Sequence, residues 1–297
     1  MQIELVHIFV QVIRSGSFTR AAETLRVPKS TVSKAVSRLE TETGTKLMVR
    51  TTRSQTLTAA GKVFYDSCIG PIQAIEDAQK SLSGSDSLLT GTIKVTAPED
   101  LGSEILAPAM AKLIAQHPGL GFELNYTNHI LDLVKEGVDL AVRIGPLKES
   151  GLKAKRVGDV RLMLVASPHF LKSTGKIAKP EDLKDLACLS LRDGSSTWSL
   201  RSDAGNSSHV KIRPRIESNQ MSSLLKAAVA GAGVALVPTF LARRWIEDAE
   251  LVRVLPKWMS HGRPVSIVSP LAFSSSARLR TTTDLFLSEL KKALEQE

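Results

Sequence analysis

"SFTRAAETLRVPKSTVSKAVSRLE", Ser17 to Glu40, is the stretch on which the reading of the fold turns. Phe18, Ala21, Ala22 and Leu25 fall on one face of a helix that Ser17 can cap, Pro28 interrupts the rhythm, and Val32, Val36 and Leu39 restart it. The small Ala21 and Ala22 allow close approach of two helices joined at an angle, as a helix-turn-helix requires. The restart leaves Lys29, Ser30, Thr31, Ser33, Lys34, Ser37 and Arg38 on the outer side, with no acid before Glu40. Such a face is either a solvated surface or one that lies against a polyanion.

The flanks favour the polyanion. Leu5, Phe9, Val12 and Ile13 predict a first helix over 3–14, ended by Ser15-Gly16. After Thr43-Gly44, "KLMVR" and "QTLT" flank "TTRS", which predicts a hairpin whose tip carries Arg50, Thr51, Thr52 and Arg53. A hairpin beside a helix-turn-helix makes a winged module. Short hydroxyls suit phosphate oxygens and long basic side chains suit base edges or backbone, so Lys29, Ser30, Thr31, Ser33, Lys34, Arg38 and wing Arg50, Thr51 and Arg53 are the expected DNA contacts. Charge agrees: residues 1–60 hold nine Lys/Arg against Glu4, Glu23, Glu40 and Glu42, more than half of the net +9 in a fifth of the chain.

Thr58 is expected to cap a long helix anchored by Val63, Phe64, Ile72, Ile75 and Leu82, and "SGSDSLLTG" reads as a linker after it. Gly70-Pro71 lies in mid-helix, where proline removes a hydrogen bond and should kink or break the helix. From Gly91 the rhythm changes to β-α-β-α-β: "GTIKVTA", "LGSEILAPAMAKLIAQH", "GFELNYT", "HILDLVKEG" as a short helix, and "VDLAVRIG". A second set comprises "VRLMLVAS", "ACLSL", "RPRIES", the helix "QMSSLLKAAVAGAG" and "VALVP", before a late strand "PVSIVSP" and a helix near 276–294. The expected fold is α/β: two lobes joined by crossover strands, with a small-molecule cleft between them.

Other chemistries find no footing. The six histidines are scattered, with no HExxH, GxSxG or Walker A pattern, so no catalytic residue, metal site or cofactor is expected. Cys68 and Cys188 make neither a disulfide framework nor a zinc pattern. No apolar run approaches the roughly 20 residues of a membrane span, and the amphipathic N-terminus does not read as a secretory signal, so the expected location is the cytoplasm, with no membrane partner.

"FTRAAETLRVPKSTVSKAVSRLETETGTKLMVRTTRSQTLTAAG" resembles the winged helix-turn-helix of LysR-type transcriptional regulators. The likeness continues through "DLAVRIG", "SPHFLKSTGKIAKPEDLKD" and "AGAGVALVP", and the "RTTR" wing is similar to that of the branch containing the CrgA and AphB regulators. The resemblance implies a DNA-binding domain over 1–58, a linker helix over 59–89 that pairs with its twin, and a periplasmic-binding-protein-like effector domain over 90–297. It places lobe I at 90–161 and 268–297 and lobe II at 162–267. It further implies a homodimer or homotetramer on a dyad operator, a small-molecule effector, and RNA polymerase as a further partner. Arg26 departs from the glycine often found in the family's turn, at the cost of local strain.

By position, the family's effector groups map onto Pro98, Glu99 and Asp100, onto Thr127 and Asn128, and onto Ser196 and Trp198 with Ser218 and Asn219. Trp198 is equally readable as core. Two carboxylates at a helix N-terminus would oppose an acidic ligand, which points to a neutral or amine-bearing effector; Asp100 is equally readable as a helix cap. The rival from another class is a solute-binding protein or enzyme with a basic N-terminal module, and a nonspecific architectural DNA binder would have no use for a cleft.

Overall fold

In the computed structural model, residues 2–50, 55–82, 89–147, 151–192 and 196–295 are described, apart from the side chains of residues 50, 55, 73, 74 and 77–82. The chain divides into two units, one made chiefly of residues 1–89 and the other chiefly of residues 90–297.

The first unit begins with α1 (Ile3–Ser15), α2 (Phe18–Leu25) and α3 (Lys29–Thr43). Ser17 caps α2 by accepting from the Thr19 N–H at 3.2 Å. Arg26 ends it in the left-handed region, φ 55°, where a Cβ costs roughly 1–2 kcal/mol. The strain expected there is present, and the turn it makes lets Pro28 start α3. Strands β1 (Met48–Arg50) and β2 (Gln55–Leu57) pair antiparallel, Met48 opposite Leu57. Phe9, Val12, Phe18, Ala21, Ala22, Val32, Val36 and Leu39 form the core with Leu47 and Met48 of the wing.

Helix α4 (Ala59–Leu82) follows. Thr58 fastens its start, accepting from the Gly61 N–H at 2.9 Å while donating to the Lys46 carbonyl at 2.7 Å. The expected break at Gly70-Pro71 does not occur, for the helix continues through Pro71. One missing N–H is outweighed by the buried face, on which Phe64, Tyr65, Cys68, Ile69 and Ile72 join the core on both sides of the proline. Gly70 is there for space: a Cβ would stand 3.1 Å from a methyl of Leu271. Glu76 adds a polar clamp, accepting from His7 Nε2 at 2.9 Å, Gln11 Nε2 at 3.0 Å and Arg14 Nη1 at 3.2 Å. Burial disfavours its charge, but Arg14 and His7 prevail and hold its carboxyl below the usual range. Two of the expected anchors, Val63 and Ile75, face outward instead.

The second unit has two sheets. The first comprises β3 (Gly91–Ala97), β4 (Leu120–Tyr126), β5 (Leu140–Ile144), β6 (Lys153–Val160) and a late strand at Arg263–Ser269. Its order is β4-β3-β5-late strand-β6, with β4, β3 and β5 parallel. After β3 the chain forms α5 (Glu99–Leu101), a π-helical turn at Gly102–Leu106, and α6 (Ala107–Gln116). The expected helix in "HILDLVKEG" is reduced to one turn over 133–137: Asp132 Oδ1 caps it by accepting from the N–H groups of Val134 and Lys135 at 3.2 and 3.1 Å, and Gly137 ends it at φ 63°.

The second sheet contains β7 (Leu162–Ala166), β8 (Cys188–Leu191), β9 (Thr197–Ser202), β10 (Ser207–Lys211), β11 (Pro214–Ser218), β12 (Val234–Pro238) and β13 (Val252–Ser260). Their order is β10-β9-β13-β7-β12-β8-β11. Helices α7 (Pro168–Thr174), α8 (Met221–Val229) and α9 (Thr239–Glu247) belong to this lobe. Strand β14, the late strand at Arg263–Ser269, belongs wholly to the first sheet, so the return crossover is at His261-Gly262 rather than after residue 267. Paired with β6 from end to end and with β5 over 265–268, β14 has no share in the second sheet. Helix α10 (Ala277–Glu295) ends the chain; its Glu289 lies 3.5 Å from Lys112 of α6.

Candidate DNA interface and effector cleft

On α3 the structure sorts the side chains as the pattern implied. Val32, Ala35, Val36 and Leu39 are buried, whereas Lys29, Ser30, Thr31, Lys34, Ser37 and Arg38 are exposed and Ser33 is half-buried. No carboxylate among the described residues pairs with Lys29 or Lys34. Arg38 differs, its Nε lying 3.0 Å from Glu42 Oε1. Glu40 turns inward: 6% exposed, it accepts from Leu47 N–H at 3.0 Å, Met48 N–H at 3.1 Å and Lys46 Nζ at 2.7 Å. Burial works against its charge, but Lys46 and the two backbone donors outweigh it and hold the carboxyl below the usual range. The first acid of the helix thus ties down the wing instead of facing outward. Thr51 and Arg53, and the side chain of Arg50, lie outside the described residues.

In the second unit, the two lobes meet where β3, β4 and β11 end. Glu99, opening α5, receives Ser103 Oγ at 3.3 Å from its own helix and Ser222 Oγ at 2.9 Å from the facing α8. Asn128 donates through Nδ2 to the Asn219 carbonyl at 3.0 Å. Ser218, at the end of β11, accepts on its Oγ from the Gln220 N–H at 3.0 Å and so shapes the entry to α8. Thr127 continues β4, its N–H bonded to the Ala97 carbonyl at 2.9 Å. The geometry therefore gathers Pro98, Glu99, Thr127, Asn128, Ser218 and Asn219 at one junction.

Asp100 differs from both earlier readings. Pro98 occupies the cap position, and Asp100 is buried in the first turn with Oδ1 accepting from the Leu101 N–H at 3.0 Å. Burial, then repulsion from Glu99 and Glu104, raises its pKa despite that bond. Trp198 and Ser196 are not part of the junction. Trp198 is buried among Leu164, Leu200, Val210 and Val254, and Ser196 leads into β9, which β13, β7, β12 and β8 separate from β11. An indole so enclosed contributes to the core of the lobe, because its large apolar area is already covered.

Three residues absent from the sequence-based set belong here. Ser222 is the bridge to Glu99. The Tyr126 ring lies against Gly102 at the π-helical turn: a Cβ there would stand 2.2 Å from Cε1. Arg143, near the end of β5, reaches the Thr127 carbonyl with Nη1 at 3.5 Å. Only Arg143 had a sequence signal, a lone cation in the otherwise apolar run "LAVRIG".

Cys188 is buried in lobe II and donates to the Leu183 carbonyl at 3.4 Å; burial pushes its thiol up to about 12. Among the described residues no three His, Cys, Asp or Glu side chains are grouped as a metal site, and no helix is long and apolar enough to cross a membrane.

Residues 3–62 match the model of the bacterial regulatory helix-turn-helix protein, lysR family, and residues 86–291 match that of the LysR substrate binding domain. An uncharacterized HTH-type transcriptional regulator of Haemophilus influenzae is 32% identical over 271 residues, spanning 91% of this chain and 94% of its own. CrgA of Neisseria meningitidis is 30% identical over 290 residues, spanning 97% and 96%. The solved structure of CrgA is similar over 98% of this chain and 99% of its own, with TM-score 0.63 at 29% identity. The full-length Vibrio cholerae virulence activator AphB is similar over 97% and 99%, with TM-score 0.62 at 26% identity. Winged helix-turn-helix, long helix and two-lobed α/β unit thus occur in one order along the whole chain, and the protein belongs to the LysR family of transcriptional regulators.

Proposed function

We propose that the chain grips a dyad operator as a dimer or tetramer through Lys29, Ser30, Thr31, Ser33, Lys34 and Arg38 of α3 and Arg50, Thr51 and Arg53 of the wing. A small molecule seated between the lobes then changes how the paired heads sit on DNA. The observation that carries the DNA reading is the exposed face of α3 on which, among the described residues, Lys29 and Lys34 have no carboxylate partner. Pairing through α4 is supported by Val63, 68% exposed on a helix whose other face is core. The effector is neutral or amine-bearing where it meets Glu99. RNA polymerase is the further partner of the DNA-bound regulator, and the cytoplasm its place of action.

Selection of genomic fragments on the purified protein, followed by sequencing, tests this: a dyad motif is expected, while random fragments would indicate an architectural binder and no recovery a solute-binding protein or enzyme. Lys34→Ala should weaken binding of the selected site by about 1–3 kcal/mol if Lys34 reads a base edge. A gel-shift titration reporting unchanged affinity removes Lys34 from the contacts.

A further inference from the structure

Two of the three N-terminal helices end in the same hydrogen-bonded motif, but with different residues at its strained position. At the end of α3 the Thr45 N–H bonds to the Glu40 carbonyl at 3.1 Å and the Gly44 N–H to the Thr41 carbonyl at 3.3 Å. At the end of α2 the Val27 N–H bonds to the Ala22 carbonyl at 3.0 Å and the Arg26 N–H to the Glu23 carbonyl at 3.2 Å. This motif puts one residue in the left-handed region and is ordinarily made with glycine. Gly44 stands there at φ 64°, and Gly16 closes α1 at φ 66°; neither has an atom within 4 Å of where a Cβ would be, so backbone conformation alone requires them. Arg26 takes the same conformation, φ 55° and ψ 40°, while carrying a Cβ.

The fold makes no use of the arginine side chain. Arg26 is exposed, and among the described residues its guanidinium makes no ion pair or hydrogen bond, not even with Glu23 three residues before it. Leu255, also at positive φ, offsets the strain by burying its side chain in the core of lobe II, and Ala249, the third such residue, brings only a methyl. A strained residue that the surrounding fold does not use points to a use outside it. Arg26 stands on the turn into α3, three residues before Lys29, and from Arg26 to Lys34 the chain carries three cations and no acid. A guanidinium offers a planar fork of donors matched to a phosphate.

We propose that Arg26 is a further DNA-contacting residue: its guanidinium binds a backbone phosphate of the operator beside the groove that α3 enters, and the left-handed turn holds it there at a cost in stability. The inference rests on the DNA reading above and adds to it a contact that anchors without reading sequence.

Full-length wild type, Arg26→Gly, Arg26→Asn and Arg26→Lys are titrated by fluorescence anisotropy against the operator duplex recovered by fragment selection and against an unrelated duplex, over a range of salt concentrations. Each is also melted without DNA. R26G and R26N should melt no lower than wild type, since glycine and asparagine adopt this conformation readily. Both should bind either duplex about three- to tenfold more weakly and lose about 0.9 from the slope of log K against log salt, the share of one phosphate. R26K keeps the charge and should keep the slope. Unchanged affinity and slope in R26G and R26N overturn the proposal. A lost affinity with the full slope also overturns it, as does a slope as low in R26K as in R26N, because either traces the effect to the turn and not to the charge. A loss confined to the operator duplex overturns the phosphate assignment, and a lower melting temperature in R26N overturns the premise that the fold makes no use of the side chain. If R26G does not fold, R26N and R26K decide by the same criteria. Wild type that binds the operator with a slope independent of residue 26 refutes this inference and leaves the regulator standing, whereas wild type that binds no duplex refutes both.

Discussion

Glu40 shows how one residue serves two surfaces. Helix α3 turns its first carboxylate inward and leaves only Glu42, which lies against Arg38, on the outside. Inside, Glu40 satisfies the Leu47 and Met48 N–H groups and pairs with Lys46. Glu40→Gln keeps the shape and weakens the two charge-assisted bonds, so the winged unit should lose roughly 1–3 kcal/mol in urea melts at pH 7. The sign with pH follows from the lowered carboxyl: its folded pKa is below the unfolded value, so the stabilisation is complete above the unfolded pKa and is lost as pH falls through the folded one. Wild type should therefore lose its advantage over E40Q below about pH 4. A stability difference that does not shrink as pH falls below about 4 refutes that role for the charge.

Among the elements, α4 and the helix after β3 each departed from what periodicity foretold, for opposite reasons. In α4 a proline that should interrupt the helix is overridden by packing on both sides of it. After β3, nothing in the pattern of "LGSEILAPAMAKLIAQH" marks a π-helical turn, yet one stands at Gly102–Leu106. Its first residue has no Cβ, and the Tyr126 ring fills that space. Gly102→Ala should cost about 1–3 kcal/mol by overpacking, since a rigid ring cannot give way as a flexible chain end does. A double-mutant cycle with Tyr126→Ala measured by thermal melting checks it. Additivity of the two costs would show that the ring and the glycine are not coupled.

Across the effector-binding unit, the two lobes are linked by Glu99 to Ser222 and Asn128 to Asn219. Ser222→Ala removes the one donor among the described residues that reaches Glu99 from the opposite lobe. A hydrogen bond to a charged group contributes about 1.5–3 kcal/mol, less where water competes. The expected outcome is faster hydrogen exchange in the first turn of α8 and in α5, with the core strands unchanged. Exchange identical to wild type would mean that the bond does not hold the lobes.

The legible parts were those whose side-chain pattern repeats at a fixed period. The three N-terminal helices, the proline boundary, the parallel strands and the exposed basic face of α3 each follow from apolar spacing or a capping residue. Strand β6, "KAKRVGDV", was missed because an edge strand carries charges that blunt the alternation, and "HILDLVKEG" misled because Gly137 ends in the left-handed region the single turn that Asp132 caps. Trp198 took the core one of its two readings, and Ser196 leads into a strand far from β11, because position across a sheet depends on strand order, which leaves no mark in local sequence. The sequence by itself determined the helix-turn-helix, the two-lobed α/β class and the exposed basic face of α3, because burial period and charge are local properties. Only the tertiary structure decided that Glu40 and Asp100 are buried, that Glu99 meets Ser222, and that Arg143 reaches the Thr127 carbonyl. Those are properties of residues far apart in the chain, and only pairing and packing of the strands determine what each charge has beside it.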